Sequence, residues 1–215
     1  MSYLIETILP PLHSNWDIKD LVGADNLLDV QQKVIQYLND LDVVKNGNNL
    51  YIYSVENGTG KTRIAYFILY MLHQPRLGLD GQPMVVPVAS ITFGEYLKFC
   101  QDGFSEDGKA ARKFVMKAPI LLLDDVSAAF GSGSLHTDKR ELLLLMKYRR
   151  EHKLITIVTS NLTPTAFDKL YGPTASSKAL ENFSYIEVIG GDVRQDFYPD
   201  QFETATNEED EEACR

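Results

Sequence analysis

Residues 58–62 read Gly58-Thr59-Gly60-Lys61-Thr62, between an apolar run ending at Tyr53 and an apolar-rich helix pattern running from about Thr62 to Leu72. Strand, glycine turn and helix in that order suit a phosphate-binding loop. Glycines let backbone N–H groups curl around phosphate oxygens, and the helix N-terminus adds a favourable dipole. Asn57 stands at the entry of the turn. Lys61 is spaced to reach β- and γ-phosphates, and the Thr62 hydroxyl to ligate Mg²⁺. The longer form of the pattern opens on a glycine where this chain has Val55, so its strand-proximal end is incomplete.

Two further groups of polar residues stand where apolar runs end. Ile120-Leu121-Leu122-Leu123 leads into Asp124-Asp125. Its wholly apolar character is that of a central parallel strand, and carboxylates at such an end are costly unless they meet a cation or donors. Asp124 is expected to hold Mg²⁺ through water and Asp125 to polarise an attacking water. Leu154 to Val158 leads similarly into Thr159-Ser160-Asn161, where the Asn161 amide could contact a γ-phosphate or orient the water.

The remaining pattern is one of alternation. Asn26 reads as an N-cap before Leu27, Val30, Val34, Leu38 and Leu41 at helical spacing. Met84 to Ala89 reads as a strand containing Pro87, which places it at a sheet edge. Helices are expected over Phe93–Cys100 and Ser105–Lys117, and a flexible loop over Ser127–His136. Asp138 with Glu141 reads as a capping box opening a helix to about His152. Thr163 and Pro164 start a short helix that stops at Gly172-Pro173, and Phe183 to Ile189 is the last strand. Strands alternating with helices predict an α/β fold with a largely parallel sheet, whose ligands bind at the carboxyl ends of strands. Residues 1–25 are expected to form an extended arm, 26–195 the core, and 196–215 an acidic disordered tail.

Charge and cysteine usage narrow the classes. Of the net −9, Glu203, Glu208, Glu209, Asp210, Glu211 and Glu212 against Arg215 leave −4 on residues 1–202. An acidic body argues against strong autonomous binding to nucleic acid. Lys147, Arg149, Arg150 and Lys153, with Lys139 and Arg140 at the start of the same helix, are the best candidates for a local contact with single-stranded DNA. Cys100 and Cys214 cannot build a disulfide framework. No window resembles a membrane span or a secretory signal, and the expectation is a cytoplasmic protein.

Taken together, Gly58–Thr62, Leu123-Asp124-Asp125-Val126, Tyr148-Arg149-Arg150, Thr159-Ser160-Asn161-Leu162 and Gly191-Asp192-Val193-Arg194 resemble the DnaC/IstB-type AAA+ ATPases over roughly residues 46–195. The resemblance implies a P-loop NTPase (AAA+/ASCE) three-layer sandwich with a five-stranded, mostly parallel sheet and the second core strand at its edge. The short stretch after Ile189 leads us to expect no helical lid domain. Also implied are ATP and Mg²⁺ as cofactors, hydrolysis at a subunit boundary in an ATP-dependent homo-oligomer, contact with single-stranded DNA, and service to a hexameric replicative helicase or a transposase. Arg194 matches the second nucleotide sensor. Where the family carries an arginine for the neighbouring subunit's γ-phosphate, this chain has Lys178, with Arg149 or Arg150 as the alternative. Lysine lacks the planar fork of arginine, which weakens such a contact.

Competing readings are an IstB-like transposition ATPase and a nucleotide-gated adaptor with little hydrolysis. A small P-loop kinase fits less well, since no arginine-rich lid follows the Asp124-Asp125 strand.

Overall fold

A computed structural model of the chain describes residues 25–40, 47–77, 83–102, 105–126, 135–172, 177 and 180–192. Residues 1–24 of the expected arm, 127–134 of the expected loop, Lys178, Arg194 and the expected tail lie outside the described residues, while Leu135 and His136 of that expected loop are helical.

Five strands form one parallel sheet: β1 (Asn49–Tyr53), β4 (Val88–Thr92), β5 (Ile120–Asp124), β6 (Ile155–Ser160) and β7 (Phe183–Glu187), in the order β4-β5-β6-β1-β7. Two-residue strands β2 (Arg76–Leu77) and β3 (Pro83–Met84) make a separate antiparallel ladder. The helices are α1 (Leu27–Asn39), α2 (Lys61–His73), α3 (Phe93–Gln101), α4 (Glu106–Lys117), α5 (Leu135–Glu151) and α6 (Pro164–Tyr171).

Period-two alternation of large apolar side chains makes this a three-layer structure. Leu50, Ile52, Ile120, Leu122, Ile155 and Ile157 pack on one face against α1 and α2. Tyr51, Leu121, Leu123 and Val158 pack on the other against α3, α4, α5 and α6. Central strands buried on both faces have no place for polar alternation, which is why the sequence shows continuous apolar runs there. The expected α/β three-layer sandwich around a five-stranded parallel sheet is therefore the observed architecture.

Local chemistry sets the boundaries. Thr92 and Glu95 form a reciprocal capping box that opens α3. Ser105 and Thr163 cap α4 and α6 through the backbone N–H groups of Gly108 and Ala166.

Three expectations change in detail. The strand expected at Met84–Ala89 begins at Val88, immediately after Pro87, and runs on to Thr92; it lies at one edge of the sheet, as the proline predicts. Asn26 stands at the head of α1, but its side chain makes no cap. Its Nδ2 donates to the Glu187 carbonyl at 2.9 Å and its Oδ1 accepts from the Ile189 N–H at 2.9 Å, pinning the exit of β7. The capping box expected at Asp138 and Glu141 does not form, because α5 begins a turn earlier at Leu135; Glu141 instead pairs with Arg112 at 2.6 Å.

Candidate nucleotide site

Sheet order β5-β6-β1 lines up three carboxyl ends, so the glycine turn after β1, Asp124-Asp125 after β5 and Thr159-Ser160-Asn161 after β6 share one rim. Parallel pairing sets their levels. Tyr53 is in register with Ser160, and Leu123 with Val158. The Ser54 N–H donates to the Ser160 carbonyl at 3.2 Å, extending the β1–β6 ladder into the turn.

The turn has the backbone that the motif requires. Gly58 (φ +72°) and Gly60 (φ +91°) are left-handed, a conformation that L side chains rarely adopt. Gly60 precedes α2, and its carbonyl accepts the Ile64 N–H at 3.0 Å, so the helix opens directly on the loop. Val55 is accommodated where the longer motif has glycine. Its side chain is 69% exposed, its φ is not left-handed, and the adjacent Ser54 hydroxyl accepts the Glu56 N–H at 3.2 Å. Lys61 Nζ reaches back to the Glu56 carbonyl at 2.8 Å and so lies across the loop. The Thr59 hydroxyl is buried with no hydrogen-bond partner. A buried hydroxyl left unpaired is costly, and inside a phosphate-type loop an incoming oxyanion would satisfy it.

Beside the loop, one carboxylate oxygen gathers two hydroxyls. Thr62 Oγ1 donates to Asp124 Oδ1 at 3.0 Å, and Thr159 Oγ1 donates to the same oxygen. Burial raises Asp124 above the ordinary carboxylate range, opposed by the two threonine bonds and by Lys61 and reinforced by the neighbouring Asp125 charge. Asp125 itself is left-handed (φ +55°), and its N–H donates to Thr159 Oγ1 at 2.9 Å. Thr159 therefore ties the Asp124 carboxylate to the Asp125 main chain, a role its place in the Thr159-Ser160-Asn161 run did not signal in the sequence. Asn161 Nδ2 donates to Asn57 Oδ1 at 2.8 Å, joining the end of β6 to the loop.

These residues fit a magnesium nucleotide. Mg²⁺ takes few protein ligands and keeps waters and phosphate oxygens, so a Thr62 hydroxyl beside Asp124 suffices. Among the described residues, no cluster of three or more His, Cys, Asp or Glu offers an all-protein metal cage.

The basic stretch on α5 is corrected in part. Arg149 is only 1% exposed, so it neither contacts DNA nor reaches a neighbouring subunit. Its guanidinium donates to the carbonyls of Val115, Met116 and Ala118 at the end of α4, to the Ile155 carbonyl, and to the Thr156 hydroxyl. Capping a helix C-terminus is a favourable place for a cation. Burial pushes it down to about 9, so it stays charged at neutral pH. The signal was present: Leu142, Leu145, Met146 and Arg149 share one buried stripe at helical spacing. Arg150 pairs with Glu181 at 2.6 Å, and Lys147 lies 3.9 Å from Glu151. All stand where α5 feeds the start of β6, at the sheet end opposite the rim that carries the glycine turn.

Arg149→Met is expected to orphan these carbonyls and cost about 3 kcal/mol, a fall in Tm of roughly 10 °C for a chain of this size. Thermal unfolding checks it. An unchanged Tm with weakened single-stranded DNA binding would restore Arg149 to the surface.

Tyr96 and Phe93 stack at 6.4 Å and are both fully buried, so Tyr96 belongs to the core. No described helix is long and apolar enough to cross a membrane.

No protein-family model matches the chain, and no curated protein sequence matches it. Solved structures do. The DnaC helicase loader superposes with a TM-score of 0.56 at 17% identity, covering 84% of this chain and 95% of that one. DnaI gives 0.56 at 17% identity, covering 86% and 88%. The replication initiator DnaA bound to AMPPCP and single-stranded DNA gives 0.59 at 16% identity, covering 88% of this chain and 56% of that chain. At these identities the likeness establishes the shared fold.

Proposed function

We propose that this chain is a Mg-ATP-dependent AAA+ ATPase that serves DNA replication by loading or remodelling a hexameric replicative helicase. The observation that carries the ATPase part is the meeting of Thr62, Asp124 and Thr159 beside a left-handed glycine loop. In this reading the amides of residues 57–62 and the Lys61 ammonium hold the β- and γ-phosphates. Thr62 and Asp124 hold Mg²⁺, which neutralises charge on the phosphates when bound. Asp125 polarises the attacking water, and Asn161, fixed against Asn57, positions it at the γ-phosphate.

Lys178, offered to the γ-phosphate of a neighbouring subunit, and Arg194, as the second sensor, are implied by the resemblance to the DnaC/IstB-type ATPases. So is the ATP-dependent homo-oligomer in which they would act. The helicase partner and the cytoplasmic setting are supported by the fold shared with the DnaC helicase loader and DnaI. Single-stranded DNA is supported by the DnaA likeness. On this chain it would fall to Lys147 and Lys153, with Lys139 and Arg140 along the same helix.

Native mass spectrometry of the protein mixed with hexameric replicative helicase, with and without Mg-ATP, tests the role. A complex whose stoichiometry responds to nucleotide is expected. ATP-dependent self-assembly on single-stranded DNA without helicase binding would contradict it and favour the transposition-type reading.

A further inference from the structure

We propose that the Asp192 carboxylate is an internal anion that competes with nucleotide phosphates for the phosphate loop, and so sets how tightly this chain holds di- and triphosphates. The inference rests on the nucleotide reading above. The Val188 N–H donates to the Tyr53 carbonyl at 2.8 Å, and the Ile189 carbonyl accepts the Asp25 N–H at 2.8 Å. Asn26 holds the same stretch from its side chain, at Glu187 and Ile189. Tied on both flanks, residues 187–189 deliver Asp192 back over the turn that follows β1.

There the Asp192 side chain lies directly on Gly58. A Cβ built at Gly58 would overlap the Asp192 carboxylate, and its three nearest neighbours are all atoms of that side chain. Gly58 thus meets two demands: a left-handed backbone (φ +72°) and an empty side-chain position that a carboxylate fills. Amides arranged to receive phosphate oxygens receive a carboxylate by the same chemistry. A triphosphate entering the loop meets this negative charge at close range, where partial burial leaves it less screened than on an open surface. The carboxylate must be displaced, or its repulsion borne, before phosphates seat. The penalty scales with phosphate charge and is absent for a nucleoside.

Asp192→Asn keeps the shape and removes the charge. Equilibrium binding of adenosine, ADP, ATP and inorganic tripolyphosphate is compared between the full chain and this variant. ATP, ADP and tripolyphosphate are expected to bind about tenfold more tightly to the variant, with adenosine unchanged and the gain shrinking as salt is raised. Unchanged or weaker ATP binding overturns the competition. Equal weakening of adenosine and ATP also overturns it, and marks the carboxylate as a ligand of the sugar or base. Loss of ATP and tripolyphosphate binding in both proteins overturns the nucleotide reading itself.

A second comparison needs no ligand. Gly58→Ala is expected to lower Tm more in the natural chain than in an Asp192→Gly background. Equal losses in the two backgrounds would show that the contact is not made.

Discussion

Lys61→Ala is expected to lower ATP affinity at least about a hundredfold, roughly 3 kcal/mol, while leaving Tm nearly unchanged. Lys61 is the first residue of α2, half-buried, and its ammonium lies across the loop on the Glu56 carbonyl. Its removal leaves the Gly58 and Gly60 backbone intact. What is lost is the one cation placed by the motif to meet β- and γ-phosphate charge, and truncating one partner of a close charge pair leaves the other uncompensated. Titration with ATP, alongside thermal unfolding, reads both quantities. Unchanged ATP affinity would remove the phosphate-loop assignment.

Asp125→Asn should separate binding from turnover. Asparagine, like aspartate, is among the side chains that tolerate the left-handed backbone found at this position. The Asp125 N–H bond to Thr159 Oγ1 is main-chain and survives the change. The variant therefore removes a negative charge with little else disturbed. Mg-ATP affinity is expected to hold, and steady-state hydrolysis to fall by roughly 10²–10⁴-fold, the range for losing a positioned base. If turnover survives, Asp124 becomes the carboxylate that acts on the water. If the natural chain itself binds ATP without turnover, the nucleotide-gated adaptor is the better description.

The layers and the rim were legible because they rest on short-range rules. Continuous apolar runs marked β1, β5 and β6 as buried strands, Pro87 marked an edge, and the Thr163-Pro164 pair marked the start of α6. What escaped depends on contacts between distant parts of the chain. Asn26 has the composition of a cap, but the end of β7, more than 160 positions away, takes both of its polar atoms. Arg149 reads as part of a basic run, yet a helix end and the start of a strand supply enough oxygen acceptors to hold it inside. Thr159 orients two aspartates because β5 and β6 are neighbours in register, a fact of sheet order that spacing does not encode. Asp192 meets Gly58 for the same kind of reason.

On the proposed function, a magnesium nucleotide sits between the glycine loop and Asp124. Calorimetric titration of the full chain with AMPPCP, in the presence and absence of Mg²⁺, tests it most directly. The account predicts saturable binding to one site per chain that tightens when Mg²⁺ is added, and a Mg²⁺ gain that Asp124→Asn abolishes. Absence of binding under both conditions, or binding indifferent to Mg²⁺ and to Asp124, would contradict it.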